Sequence, residues 1–427
     1  IKVQLSKREL AKNVARPLDF KQDDIKKFTS SIPFTLTSDQ KISAWQILQD
    51  MEREKPMNRL LEGDVGSGKT VVAAISILNC ALNKYQAVFM APTEVLSFQN
   101  YDKITHLLKD FSLRVCLLTR SRKIYNNFPI SKKQLLHKIQ EGEADIIIGT
   151  HALISEDVNF KNLGLVVIDE QHRFGVEQRR LLKEKSLDKN FFPHLLSMTA
   201  TPIPRSLSLI LYGDLELSII KEMPLSRKKI ITKIVVPDKR NLSYQFVRER
   251  IKQREQVFVV CPLIDPSDML GVKSVTEEYE RLKKDIFSDV KIGLLHGKLK
   301  AREKEEVMNT FKAGEYRMLV ATSVIEVGID VPRATIMIIE GSERFGLSQL
   351  YQFRGRVGRS HLQSYCFLFT HTMSEKTKMR LNALIKAKDS FELSKLDLEL
   401  RGPGDAYGVE QSGFPDFKIA KITDIDI

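Results

Sequence analysis

The sequence is poor in cysteine: four in 427 residues, Cys80, Cys116, Cys261 and Cys366, with no CxxC pair among them. That spacing excludes a disulfide framework and a zinc ribbon. Three of the four sit in apolar runs (Val115-Cys116-Leu117, Val260-Cys261-Pro262, Tyr365-Cys366-Phe367), where a thiol reads as a small buried hydrophobe in a reducing compartment. No apolar run approaches the roughly 18 residues of a membrane span, and no signal peptide is visible. His151, His172 and His296 have no metal-ligand spacing and read as hydrogen-bonding switches, or as ordinary structural histidines. No short tandem repeat is apparent.

Basic residues are in surplus. Lys and Arg number 67 against 54 Asp and Glu, a formal charge of +13 that favours polyanionic partners. The length suggests two or three domains. With 42% hydrophobic and 28% charged residues the chain is an ordinary globular sequence. It opens at Ile1 rather than Met, which suggests a segment upstream.

Residues 1–30 are basic and weakly patterned, and read as a linker or the tail of a missing domain. Helical patterns then alternate with short apolar runs: Ala87–Pro92, Val115–Leu118, Asp145–Gly149, Leu165–Ile168 and Leu195–Met198. Beyond Pro224 the rhythm restarts with Val257–Cys261, Ile292–Leu295, Met318–Ala321, Ile336–Ile339 and Tyr365–Phe369. Continuous rather than alternating hydrophobicity marks strands covered on both faces, as in parallel sheets. Two series imply an α/β protein of two lobes, 31–224 and 225–373, with the join at Pro224–Lys229. Phe89, Phe258 and Phe367 read as core. In 374–427, helices Glu375–Lys388 and Phe391–Leu400 lead into Arg401-Gly402-Pro403-Gly404-Asp405, read as a hairpin and a glycine-rich loop.

Gly63-Asp64-Val65-Gly66-Ser67-Gly68-Lys69-Thr70 fits the phosphate-loop pattern G-x-x-x-x-G-K-[ST]. Glycines let backbone N–H groups curl round phosphates, Lys69 reaches the outer phosphate oxygens, and the Thr70 hydroxyl suits Mg²⁺. A glycine turn capping a helix is the plainer alternative, but a chance match is on the order of one in a hundred. Leu165-Val166-Val167-Ile168-Asp169-Glu170 is an apolar strand ending in two acids, Asp169 for the metal and Glu170 for the attacking water. Alone, two such acids are a solvated turn; below a phosphate loop they are a hydrolytic pair. Gln352-Phe353-Arg354-Gly355-Arg356-Val357-Gly358-Arg359 can supply arginine fingers from the second lobe, or merely a basic surface loop.

Together these motifs resemble the superfamily-two helicases, and most closely the RecG-type branch-migration helicases, from about Pro33 to Lys418. The resemblance implies two RecA-like lobes, an ATP and Mg²⁺ requirement, and a translocation hairpin at the C-terminal end. Pro33-Phe34-Thr35-Leu36-Thr37 with Gln40 resembles the adenine-reading segment. Ala91-Pro92-Thr93-Glu94 and Gly149-Thr150-His151-Ala152 are similar to the DNA-backbone motifs. Asp169-Glu170-Gln171-His172 matches the family's Walker B box, and Ser197-Met198-Thr199-Ala200-Thr201-Pro202 the motif linking hydrolysis to movement. Leu294-Leu295-His296-Gly297 and Ala321–Asp330, which includes Thr322, complete the second lobe. By the same resemblance Asp330 approaches the ribose, and Arg356 and Arg359 approach the γ-phosphate. Gln352, Arg401 and Gln411 are carried over as DNA-binding or coupling residues. Taken singly, Thr93, Thr150 and Thr322 are as readily helix caps or turn residues.

The implied function is an ATP-dependent duplex-DNA translocase that remodels stalled forks and Holliday junctions. Implied partners are branched DNA and a single-stranded DNA-binding protein. A monomer is implied, in the cytoplasm with the nucleoid and with no membrane partner. The competing readings are a nucleotide-gated clamp on branched DNA, a translocase like the transcription-repair coupling factor, and RNA remodelling. Gln171, Cys261-Pro262-Leu263-Ile264 and Leu294–Gly297 favour RecG over the coupling factor. There are departures. No oligonucleotide-binding wedge precedes Pro33, Arg120 follows Leu117-Leu118-Thr119 where glycine is usual, Leu225-Ser226 replaces a proline–glycine pair, and the chain stops soon after Ile419.

Overall fold

The apolar runs are continuous because helices cover both faces of the strands they form. Ala87 to Met90, Ile146 to Ile148 and Leu165 to Ile168 are all buried, as are Phe89, Phe258, Phe367 and the four cysteines. The computed structural model describes residues 14–169, 191–200, 215–223, 228–262, 269–322, 331–358 and 362–405. The chain divides into two compact units, Ile1–Pro202 with Leu207–Pro224 and Ile203–Ser206 with Leu225–Ile427.

Unit 1 opens with helices α1 (Gln22–Ser31) and α2 (Ser38–Met51), followed by β1 (Asn58–Gly63), α3 (Lys69–Leu82), β2 (Gln86–Met90) and α4 (Glu94–Leu107). Then come β3 (Val115–Leu118), the short β4 (Lys123–Tyr125) and β5 (Phe128–Pro129), α5 (Lys132–Gln140), β6 (Ile146–Gly149), β7 (Leu163–Asp169), β8 (His194–Thr199) and β9 (Glu216–Ile220). They form one sheet in the order β5-β4-β3-β6-β2-β7-β8-β1-β9. Every pairing is parallel except β3–β4 and β4–β5, which make an antiparallel hairpin at one edge.

The linker reading of the first thirty residues is corrected for 14–31. Ala15, Leu18, Ile25 and Phe28 are buried. The Ala15 and Leu18 amides donate to the Glu54 and Met51 carbonyls at 2.6 and 2.7 Å. Its few apolar residues are spread across a turn and a helix, so the segment shows no stripe in the sequence although it lies on unit 1.

A buried ion pair joins α2 to β1. Arg59 donates to Asp50 Oδ2 through Nε at 2.8 Å and Nη2 at 2.7 Å, with the two side chains only 8% and 7% exposed. Nη1 donates to Ser218 on β9 at 2.9 Å, so three elements share one guanidinium.

Unit 2 repeats the plan with an all-parallel sheet. Its elements are β10 (Ile231–Val235), α6 (Arg240–Lys252), β11 (Gln256–Val260), α7 (Met269–Arg281), β12 (Ile292–Leu295), α8 (Ala301–Lys312), β13 (Met318–Ala321), β14 (Ala334–Ile339), α9 (Leu347–Arg354) and β15 (Tyr365–Phe369). The order is β10-β15-β14-β11-β13-β12. Helices α10 (Glu375–Lys386) and α11 (Ser390–Asp405) follow and pack with α9 over Leu347, Leu350, Leu381, Leu384 and Leu393. The glycine-rich loop expected at Arg401–Asp405 is instead the last turn of α11. Pro403 forgoes one i−4 hydrogen bond there, a cost smaller at a helix end than in mid-helix.

At the exit of β14, Glu340 is buried beside Arg240, whose Nη2 lies 3.0 Å from Glu340 Oε2. Loss of water, then the nearby Glu278 carboxylate, push the Glu340 carboxyl up to about 7.

Two outcomes are expected. Asp50→Ala strands a buried guanidinium and costs about 3–5 kcal/mol in chemical denaturation; Asp50→Ala with Arg59→Met recovers much of it, whereas simple addition of the two losses would mean that no pair exists. Glu340, raised in the folded state, stabilises below the ordinary glutamate range and loses that contribution as pH rises towards 7. The melting-temperature difference between Glu340→Gln and the parent should therefore grow in favour of the variant from pH 5 to 8; a flat difference contradicts the assignment.

Candidate active site

Between the end of β1 and the start of α3 the backbone reverses through two left-handed glycines, Gly66 at φ +83° and Gly68 at φ +91°. Gly68 is the N-cap of α3 and offers no side chain to its first turn, which leaves the positive end of the helix without a side-chain cap. That is an anion cradle. Lys69 Nζ donates to the Gly63 carbonyl at 2.7 Å and the Asp64 carbonyl at 3.0 Å, which holds the ammonium over the loop. Ser67 Oγ is buried and has no hydrogen-bond partner among the described residues. A Cβ on Gly63 would lie 2.5 Å from that same oxygen. Val65 N donates to Asp64 Oδ1 at 2.6 Å, closing the outer side of the loop. Thr70 is half-buried in the first turn of α3.

Gln40 is 2% exposed and uses both ends of its amide. Its Oε1 accepts from Thr37 N at 3.0 Å while Thr37 Oγ1 accepts from Gln40 N, a capping box that starts α2. Its Nε2 donates to the Ser67 carbonyl at 2.7 Å. A Cβ on Gly68 would sit 2.2 Å from that nitrogen, so glycine is required both by space and by its φ. Pro33 to Leu36 lie in the wall of an adjoining cleft of about 620 Å³, which Thr29, Ser30 and Lys41 also line.

Strand register brings Asp169 to the same edge as the loop. Asp169 on β7 is level with Met198 on β8, and Met198 with Leu61 on β1; one step on, Thr199 is level with Glu62. With strands ~4.8 Å apart, Asp169 lies two strands from the stem of the loop, at the same carboxyl edge. Asp169 is half-buried and Thr199 buried. The Thr70 hydroxyl and Asp169 carboxylate are hard oxygen donors, a set that suits Mg²⁺.

The hydroxyls of the other two loops are helix caps, as the plainer reading had it. Thr93 Oγ1 accepts from Leu96 N at 3.3 Å and Thr150 Oγ1 from Ala152 N at 3.4 Å. A capping hydroxyl accepts through a lone pair and keeps its O–H to donate, so capping does not exclude phosphate contact. His151 is exposed and opens the short 3₁₀ helix His151–Ile154.

In unit 2, Thr322 is buried after β13 and its amide donates to the Leu295 carbonyl at 3.3 Å. Gln352 is buried on α9. Arg354 lies over the Tyr351 ring at 4.3 Å and donates to the Leu384 carbonyl at 2.8 Å, which ties α9 to α10. Arg356 is 7% exposed just beyond α9, before a left-handed Gly358 at φ +78°. Glu170, Thr201, Asp330, Arg359 and Gln411 lie outside the described residues, as does the side chain of Arg401 in α11.

A clasp on α2 leaves little trace in the sequence. Asp39 Oδ2 accepts from the Lys221 and Glu222 amides at 2.8 and 2.9 Å, and Glu222 Oε2 accepts from Ser38 N at 2.9 Å. The first turn of the helix carrying Gln40 thus holds the segment that leaves β9. An acid in a first turn was the one visible sign, and it also suits an ordinary helix start.

Residues 37–210 match the DEAD/DEAH box helicase family and residues 238–361 the helicase conserved C-terminal domain. The chain is 48% identical over 422 residues to the ATP-dependent DNA helicase RecG of Aquifex aeolicus, covering 98% of this chain and 52% of that protein. Against the protein of the same description from Bacillus subtilis it is 47% identical over 402 residues, covering 94% and 58%. A solved RecG bound to a three-way DNA junction aligns with TM-score 0.80 and 44% identity over 95% of this chain and 52% of that one. Over nearly its whole length the chain is similar to the RecG helicases. It spans about half the length of the curated RecG proteins it matches. The DUF1998 helicase MrfA bound to DNA, at TM-score 0.64 and 18% identity over 88% of this chain and 56% of that one, shares the fold of two RecA-like lobes.

Gln40→Ala leaves the Ser67 carbonyl without its donor and should weaken ATP binding by about 1–3 kcal/mol, roughly 5- to 150-fold. Gln40→Glu keeps an acceptor for the Thr37 cap but not the donor, and should bind fluorescent ATP as poorly as Gln40→Ala; parent-like affinity in Gln40→Glu would show that the Ser67 bond is immaterial.

Proposed function

We propose that the chain is the motor portion of an ATP-dependent double-stranded DNA translocase that remodels branched DNA, stalled forks and Holliday junctions among it. The observation that carries this reading is the lysine-bearing loop that follows β1, whose residues Leu61 and Glu62 are level with Asp169 and Thr199, in a chain similar to RecG.

In this reading the α3 first-turn amides and Lys69 hold the β- and γ-phosphates of ATP. Thr70 and Asp169 hold Mg²⁺, which when bound neutralises charge on the transferring phosphoryl group. Glu170 orients and deprotonates the attacking water. Gln40 still has one amide hydrogen and one carbonyl lone pair after its two observed bonds, and these are available to the adenine edge. Asp330 meets the ribose, and Arg356 and Arg359 supply positive charge at the γ-phosphate, so that hydrolysis depends on unit 2. Thr93, Thr150, His151 and Thr322 grip phosphates of the DNA backbone, which positions the protein without reading sequence. Thr199, Thr201, Gln352, Arg401 and Gln411 pass the change at the nucleotide to that grip.

ATP-driven displacement of streptavidin from end-biotinylated duplex DNA tests the reading. The chain should displace it, and Lys69→Ala should not, at equal DNA occupancy. Hydrolysis of ATP without displacement would favour a nucleotide-gated clamp on branched DNA over a motor.

A further inference from the structure

The hairpin at the edge of the first sheet has no part in the site described above, yet its turn lies on the same rim. Leu118 on β3 is level with Gly149 on β6, and Gly149 with Met90 on β2. The chain beyond these three residues forms three adjoining loops: the β3–β4 turn, the Thr150-His151 loop and the Thr93-Glu94 loop. Two of the three are the loops read above as the DNA grip. The β3–β4 connection is a tight turn in which Thr119 and Arg122 bond to each other and Arg120 and Ser121 form the tip. Its position is fixed from the neighbouring grip loop. Glu94 Oε1 accepts from Ser121 N at 2.8 Å and Oε2 from Ser121 Oγ at 2.9 Å.

The turn is strongly basic. Lys123 Nζ donates to the Arg120 carbonyl at 2.7 Å, and the Arg122 guanidinium lies over the Phe98 ring of α4 at 4.7 Å. Both Glu94 oxygens are taken up by Ser121. Arg120 is exposed, and among the described residues its side chain makes no ion pair. A lone arginine on a surface turn needs no explanation. This one caps a strand adjacent to a phosphate-gripping loop, and a carboxylate from another such loop sets its orientation.

We propose that the Arg120–Lys123 turn is a further DNA-backbone contact, in which Arg120 engages a phosphate and Glu94 acts as the positioning residue that holds the turn. It rests on the reading of this rim as a DNA surface. It extends the track outward by one strand, about 5 Å, beyond the Thr150 loop.

Equilibrium binding of the full chain to a fluorescein-labelled linear duplex, measured by anisotropy between 50 and 300 mM salt, tests it. Each lost phosphate contact should make the slope of log affinity against log salt shallower by about 0.9. Arg120→Ala is expected to show that loss, and Arg120→Glu a larger one. Lys55→Ala removes the same charge from the turn before β1, at the opposite edge of the sheet, and should keep the parent slope. Glu94→Ala makes the protein more positive, so general electrostatics predicts tighter binding, whereas loss of the turn's anchor predicts weaker binding. A parent slope in Arg120→Ala, an equal loss in Lys55→Ala, or tighter binding by Glu94→Ala would each overturn the proposal. If the parent chain shows no salt-dependent duplex binding, the reading of the rim as a DNA surface falls and takes the proposal with it; parent-like slopes in the variants of a chain that does bind DNA refute the turn alone.

Discussion

The loop between β1 and α3 depends on a close approach between one glycine and one glutamine. Gly68 turns left-handed so that α3 begins without a side-chain cap, and the space a side chain would need is filled by Gln40 Nε2. The amide that excludes a Cβ also bonds the Ser67 carbonyl. The shape of the loop, the choice of glycine and the placement of α2 are therefore one constraint. Any larger residue at 68 would meet both backbone strain and a buried, bonded neighbour.

That constraint is held from behind by charge. Asp50 and Arg59 lock α2 to β1 in the interior, and Asp39 with Glu222 locks the first turn of α2 to the segment leaving β9. Gln40 lies next to Asp39 in that turn. A hydrogen-bonded path thus runs from the phosphate loop through Gln40 and its helix to the last described residues before Pro224. Each bond on it is modest. Together they make the loop, the helix and the exit segment a single body on the scale of unit 1.

What could be read from the sequence was local or periodic. The phosphate loop announces itself because its chemistry needs consecutive residues, and the buried strands announce themselves because both faces are apolar. Less was visible where the reason is tertiary. The strands β9 and β10 are short and mixed in burial, so they leave no run. In the β4–β5 hairpin β4 is half-buried and β5 exposed, with Phe128 75% accessible, and no core pattern betrays it. Residues 14–31 bury a few scattered side chains in place of a stripe, and α11 continues through a proline that pattern alone treats as an end. The threonines show the limit for function. Sequence allowed both cap and phosphate contact for Thr93 and Thr150, and the structure shows the cap while leaving the donor to serve the second role.

The central claim is that a phosphate loop of this geometry drives hydrolysis in answer to duplex DNA. Steady-state ATP turnover by the 427-residue chain, compared without DNA, with linear duplex and with a model fork, addresses it directly. The account predicts strong stimulation by both DNAs, lost when Lys69 is replaced by alanine. Turnover that stays at the DNA-free rate in every case would contradict it.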